Sequence, residues 1–184
     1  MSRSPFCLSM LLSALIAGPA ASAHAQITAP GPYYAVPSWD QTFPAATRFV
    51  ILSNMNGEAV LDRETGLVWE RAPDSPLAVW EDARSQCLEK HVGGRRGWRL
   101  AAIHELMTLM DIPGLPTNSN LTALPPGHPF DLSGLGGQFP QLWSSTRSAE
   151  GTTLAYTLHL TGRAIAVGTG VPLDSWCVRG GGGQ

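Results

Sequence analysis

Five blocks, each built around a tryptophan, follow in fixed order between residues 65 and 180 and constrain what this chain can fold into. They are Thr65-Gly66-Leu67-Val68-Trp69-Glu70-Arg71, Trp80-Glu81-Asp82-Ala83-Arg84-Ser85-Gln86-Cys87, Gly97-Trp98-Arg99-Leu100, Leu142-Trp143-Ser144-Ser145-Thr146 and Trp176-Cys177-Val178-Arg179-Gly180. A buried aromatic side chain removes roughly 150–250 Å² from water, so this many on short elements need a shared core. Trp69, Trp80, Trp98 and Trp143 each sit in a β-prone run or on an apolar helix face. There core packing is expected ahead of stacking on sugar rings. Trp176, beside Cys177, is expected in the core as well.

The N-terminus reads as a secretory signal. Arg3 supplies positive charge, and the apolar run 5–17 has the length of a signal's hydrophobic region but is too short to span a bilayer. Ala23-His24-Ala25 is a small-residue cleavage pattern, so the mature chain is expected to start at Gln26. It would then keep no membrane span and reside in the periplasm or outside the cell. A lipoprotein anchor does not fit, because Cys7 lies inside the apolar run. The remaining 159 residues suit one domain with a full core. Without Arg3 they carry 11 basic against 14 acidic residues and no basic block, which argues against nucleic acid as a partner.

Cleavage removes Cys7 and leaves Cys87 and Cys177. In an oxidising compartment a single disulfide between them is the default. It closes a loop of about 90 residues, for which chain entropy gives an upper figure of roughly 4–5 kcal/mol. A free reactive thiol and a metal site are the alternatives; two thiols without nearby histidines make a poor zinc shell.

Residues 26–47 hold Pro30, Pro32, Pro37 and Pro44 among Tyr33, Tyr34, Trp39 and Phe43, which excludes a regular helix and predicts an extended lead-in packed on the domain. Residues 48–71 read as strands joined by turns at Asn54-Met55-Asn56-Gly57 and Glu64-Thr65-Gly66. Ser75-Pro76 is expected to open a helix with Val79, Trp80, Ala83, Cys87 and Leu88 on its buried stripe and Gly93-Gly94 at its end. A second helix is expected over about residues 102–111, with Ile103, Leu106, Met107 and Met110 inward. Residues 112–140 form a long segment rich in Pro, Gly and Asn. Strands follow at 142–147, 153–160, 163–167 and 175–179, and a glycine tail at 181–184.

The blocks in this order resemble the Lcl C-terminal domain family, named for the C-terminal domain of a bacterial collagen-like adhesin. The likeness rests on the Thr-Gly-Leu-Val-Trp run, Trp80 with Ala83 and Cys87, Gly97-Trp98-Arg99-Leu100 with Glu105-Leu106, Trp143-Ser144-Ser145-Thr146 and Cys177-Val178-Arg179. It spans residues 49–180, with Ala101 standing where the family usually has proline. The resemblance implies an α+β, C-type-lectin-like domain over residues 48–180. Two helices would pack on a twisted antiparallel sheet, with a long irregular loop. It also implies surface binding or adhesion, in some members to sulfated polysaccharides, and a likeness in fold to formylglycine-generating enzymes.

The polar residues give weaker signals. Arg95, Arg96 and Arg99 around Gly97 can fork onto a sulfate or carboxylate; the alternative is a solvated turn with Arg99 paired to a structural carboxylate. His104-Glu105 begins like a zinc-protease helix, but Thr108 stands where the second histidine belongs. Ser144-Ser145 with His104, His128 or His159 would imitate a hydrolase triad, yet no Gly-x-Ser-x-Gly elbow is present. Asp111, Asn118, Asn120 and Asp131 supply oxygens suited to calcium, though with few carboxylates. Asn120-Leu121-Thr122 matches a glycosylation acceptor.

The expectation is therefore a non-catalytic binding module without a resident cofactor. Its ligand would be an acidic or sulfated glycan, bound by the 112–140 loop, with Asn118, Asn120 and Asp131, together with the Arg95–Arg96 turn. A structural protein of the envelope that binds another protein is the first alternative. An enzyme of the formylglycine-generating type, needing free thiols, is the second.

Overall fold

The structure, a computed structural model, describes residues 43–74, 76–111, 122–136 and 140–181. The expected signal peptide, most of the lead-in, Ser75, Asn118, Asn120 and residues 182–184 lie outside the described residues.

The chain enters through a single helical turn, α1 (Ala45–Arg48), and three short strands, β1 (Phe49–Ile51), β2 (Ala59–Asp62) and β3 (Val68–Glu70). The helical turn departs from the extended lead-in expected as far as residue 47. It begins directly after Pro44, beyond the last of the prolines that forbid helix. The strands form an antiparallel meander, with Phe49 opposite Asp62 and Val60 opposite Trp69. Asn56 at φ 56° and Gly57 at φ 71° make the first turn, as the Asn-Gly pair predicts.

Asp62 organises the second turn. It is fully buried, and its two oxygens accept from Arg48 Nε at 2.9 Å and Arg48 Nη2 at 2.8 Å. The same carboxylate takes the Glu64 N–H and the Thr65 hydroxyl. Arg48 also donates to the Thr108 carbonyl at 2.6 Å and pairs with Glu64 at 3.0 Å. A buried charge pair persists only when its remaining groups are satisfied, and this one is.

The first long helix, α2 (Trp80–Glu89), starts later than Ser75-Pro76 predicts. Ala78 exchanges backbone hydrogen bonds with Leu173, both at 3.0 Å, and Trp80 N–H donates to the Thr169 carbonyl. That tertiary pairing holds the preceding residues extended. Trp80, Ala83 and Cys87 face inward as expected, but Leu88 does not and is 64% exposed. The helix ends at Glu89 rather than at Gly93-Gly94, because Lys90 turns extended to reach Glu70.

Next come β4 (Trp98–Leu100) and α3 (Ile103–Thr108), shorter than expected. Leu106, Leu109 and Met110 are buried, whereas Met107 is exposed. The remaining strands are β5 (Gln141–Arg147), β6 (Leu154–His159), β7 (Ala164–Gly168), β8 (Asp174–Ser175) and β9 (Cys177–Arg179).

The fold is α+β with mainly antiparallel pairing, as expected, but the strands divide between two sheets. One runs β1-β2-β3-β9-β4 and is antiparallel throughout; the other runs β7-β6-β5-β8, with β8 parallel to β5. The expected final strand is broken at Trp176, where the chain passes from one sheet to the other. The Trp176 ring meets Trp69 edge-on at 5.7 Å and Phe130 at 4.9 Å, and Phe130 meets Phe49 at 5.1 Å. Phe130 belongs to the Pro/Gly-rich segment, so the described part of that segment, with Ala123, Leu124 and Leu135, closes the core.

Cys87 and Cys177 are joined, with Cα atoms 5.5 Å apart and both side chains fully buried. The bridge ties α2 to β9, an interior strand of the larger sheet. Among the described residues no helix is long and apolar enough to cross a membrane.

Candidate functional site

The five described tryptophans do not form a binding platform. Trp69, Trp80, Trp98, Trp143 and Trp176 are at most 2% exposed. Four of the indole N–H groups donate to backbone carbonyls: Trp80 to Ser144 at 2.7 Å, Trp98 to Arg95 at 2.8 Å, Trp143 to Ala78 at 2.9 Å and Trp176 to Glu70 at 3.0 Å. Trp69 Nε1 has no hydrogen-bond partner among the described residues. Each bond clamps one element onto another, so these rings serve packing, as the sequence predicts.

The polar members of the same blocks meet at a cleft of about 630 Å³ between α2, the β4–α3 junction and β5, lined among others by Arg84, Arg99, His104, Glu105, Ser145 and Thr146. An irregularity in β5 between Trp143 and Arg147 lies at its wall. Bulges of this kind re-aim side chains. Here Thr146 Oγ1 accepts the Ile103 N–H at 3.1 Å, and Ser145 N–H donates to the Ala101 carbonyl.

Arg99 and Glu105 are committed to each other. Arg99 Nη1 and Nη2 reach the two Glu105 oxygens at 2.7 and 2.6 Å, and Nη2 also donates to the Gly180 carbonyl. Glu105 in addition accepts the Ala102 N–H that opens α3, at 2.8 Å. Burial works to raise the Glu105 carboxyl, but the hydrogen bonds from Arg99 and Ala102 outweigh it and hold the group below its ordinary value. Arg99 is thus placed as a structural partner of a carboxylate.

Arg95 and Arg96 stand apart from that pair. Both are exposed, and neither makes an ion pair among the described residues. Their backbone is fixed: the Arg95 carbonyl takes the Trp98 indole, and the Arg96 carbonyl takes Arg179 Nε at 2.9 Å. Gly94 at φ 68° and Gly97 at φ 85° bracket the pair in conformations that suit glycine. A pinned turn therefore presents two exposed guanidinium groups without an ion pair among the described residues.

Asp131 sits elsewhere, in the segment after His128, beside a second cleft of about 570 Å³. Hydrogen bonding from Ser133 holds its carboxyl below the usual range. Asn118 and Asn120, expected beside it, lie outside the described residues. Among those residues no group of three or more His, Cys, Asp or Glu side chains is placed to hold a metal ion.

Of the hydrolase-like residues, Ser145 and His104 line the first cleft together, whereas Ser144, His128 and His159 lie apart from it. Ser144 Oγ is buried in β5, donates to the Tyr156 carbonyl at 2.7 Å and accepts the Thr146 N–H. His128 lines the second cleft, and His159 pairs with Thr161 at 2.8 Å. The disulfide consumes both described thiols.

One arrangement has only a faint signal in the sequence. The Arg84 and Arg147 guanidinium groups lie 4.8 and 4.3 Å from the Trp80 ring centre, and both pair with Glu81. The spacing of Trp80 and Arg84, one helical turn, could have shown half of it; Arg147 comes from a distant strand.

The fold and these contacts define a disulfide-closed α+β domain whose aromatic blocks face inward and whose exposed Arg95 and Arg96 lie on a turn. The chain belongs to the Lcl C-terminal domain family, whose profile matches residues 58–179, about two thirds of its length and all but the edge of the five blocks. This membership and the disulfide both point to an exported, adhesin-type domain. A comparison with curated proteins finds no match.

Proposed function

We propose that this domain is a non-catalytic binding module of C-type-lectin-like architecture, exported to the periplasm or cell surface, that recognises an acidic or sulfated glycan through Arg95 and Arg96. The observation that carries this reading is the contrast among three neighbouring arginines. Arg99 is locked to Glu105, whereas Arg95 and Arg96 are exposed, without ion pairs among the described residues, and held on a turn fixed at both carbonyls. Guanidinium forks match sulfate and carboxylate oxygens. With the described tryptophans buried, charge and hydrogen bonding do the recognising on this turn, without stacking on those rings.

The test is a glycan array that includes sulfated polysaccharides, probed with the mature protein at two salt concentrations, with and without calcium. Binding should weaken with salt and vanish in the Arg95→Ala/Arg96→Ala variant. Binding that survives that double substitution, or none at all by oxidised protein, overturns the assignment.

A further inference from the structure

We infer that the outer edge of β7 is a self-association surface, at which a second copy of this chain pairs antiparallel and joins the two four-stranded sheets into one. β7 is an edge strand of its sheet and, at five residues, the longest edge strand among the described residues; β1 and β4 have three and β8 has two. Its sequence, Ala164-Ile165-Ala166-Val167-Gly168, has no charge, no proline and no bulge in its pairing with β6. Those are the devices by which edge strands ordinarily refuse a partner.

The hydrogen-bond phase shows which groups are open. His159 N–H donates to the Arg163 carbonyl and Thr169 N–H to the Thr153 carbonyl. Bonds in an antiparallel ladder alternate, so residues 163, 165, 167 and 169 turn their backbone toward β6. Ala164, Ala166 and Gly168 turn theirs away. Among the described residues nothing bonds to the Ala164 or Ala166 backbone on that side. The Gly168 carbonyl takes the Val171 N–H at 3.1 Å, so at that end it is the Gly168 N–H that has no partner among the described residues, and a Cβ built there meets no atom within 4 Å.

The strand is complementary to itself. The antiparallel register that uses all five residues centres on Ala166 and sets Ala164 opposite Gly168 of the second copy. It then forms about four backbone hydrogen bonds from open groups, two between the Ala166 residues and one from each Gly168 N–H to the Ala164 carbonyl of the other copy, the Gly168 carbonyls being held by Val171. Ile165 meets Val167 twice, a β-branched pair of the kind that stabilises sheets. Arg163 falls opposite Thr169, so no like charges face each other. The result is a closed two-fold interface. A pair presents the Arg95–Arg96 turn twice, which raises apparent affinity for a repeating polymer without a new contact.

Sedimentation equilibrium of the purified, exported protein tests this. The wild type should show the mass of two chains at tens of micromolar, and amide exchange at Ala166 should slow as concentration rises. Ala166→Pro removes the outward N–H, which has no described partner, and should halve the mass. Ala166→Lys keeps the backbone but sets two lysines face to face, and should also give a monomer with unchanged near-ultraviolet circular dichroism. A monomeric wild type, or a dimer that survives both substitutions, overturns the inference. Neither result bears on glycan binding by a single domain.

Discussion

Glu70 accepts the Cys177 backbone N–H on one carboxylate oxygen at 2.9 Å and holds Lys90 on the other at 2.6 Å. Lys90 directly follows the helix that carries Cys87. The two halves of the disulfide are therefore joined a second time by a polar link. Glu70 is 2% exposed, and burial raises its carboxyl despite the opposing effect of Lys90. Covalent and ionic ties converge where α2 meets the centre of the larger sheet.

Loss of the disulfide should lower unfolding free energy by about 2–4 kcal/mol. Urea unfolding of the Cys87→Ser/Cys177→Ser protein beside the wild type measures it. An unchanged midpoint would mean that the Glu70–Lys90 link and the core hold the junction unaided.

Two buried carboxylates should give opposite pH dependences. The Glu70 carboxyl is raised from 4.5, so the folded chain keeps that proton to higher pH than the unfolded chain, and its contribution to stability falls as pH rises above 4.5 through the folded value. The Glu105 carboxyl is lowered from 4.5, so its contribution is full above 4.5 and is lost as pH falls through the folded value. Glu70→Gln should flatten the decline on the neutral side, and Glu105→Gln the decline on the acid side. Thermal unfolding from pH 3 to 8, taken as an approximate range over which carboxylates titrate, reads both; matching profiles in the two variants would contradict the assignment.

The three arginines of the Gly97 region should separate stability from binding. Arg95→Ala and Arg96→Ala should change stability by less than about 0.5 kcal/mol, as surface substitutions do, while abolishing glycan binding. Arg99→Ala leaves Glu105 without its partner and should cost about 1–3 kcal/mol. A double-mutant cycle with Glu105→Ala isolates the pair's coupling. Arg99→Ala with wild-type stability would show the pair to be dispensable.

Gly93 sits at φ 61°, and a Cβ there would lie 2.5 Å from Met55 Cβ and 2.8 Å from the Met55 carbonyl oxygen. Gly93→Ala should therefore destabilise by more than about 1 kcal/mol, through a left-handed backbone and a contact with backbone that cannot give way. Gly94→Ala, also at positive φ but with open space around it, should cost less. Equal midpoints for the two variants in denaturant would refute the steric argument.

What could be read from the chain was what each segment decides locally. The strand positions, the inward tryptophans and the cysteine pair follow from alternation, residue size and compartment chemistry. What escaped was set by distant partners. Ala78 is held extended by Leu173, 95 positions away in the chain, and so delays α2. Leu88 fits a helical stripe by spacing, yet the groove it would fill is the open cleft beside Arg99. The alternative that Arg99 serves a carboxylate was visible as Arg99 and Glu105 flanking a helix start; that it prevails depends on how β4 meets α3. The division into two sheets had no local signal, because Trp176 reads as part of one continuous strand.

The position of β9 has a consequence for how the protein is made. Its three residues are inserted between β3 and β4, and Cys177 supplies the only described partner for Cys87. Neither neighbouring strand can complete its ladder until those late residues have emerged. The larger sheet and the covalent ring therefore close in a single event: until β9 is seated, β3 and β4 have no strand between them and Cys87 has no described thiol to meet.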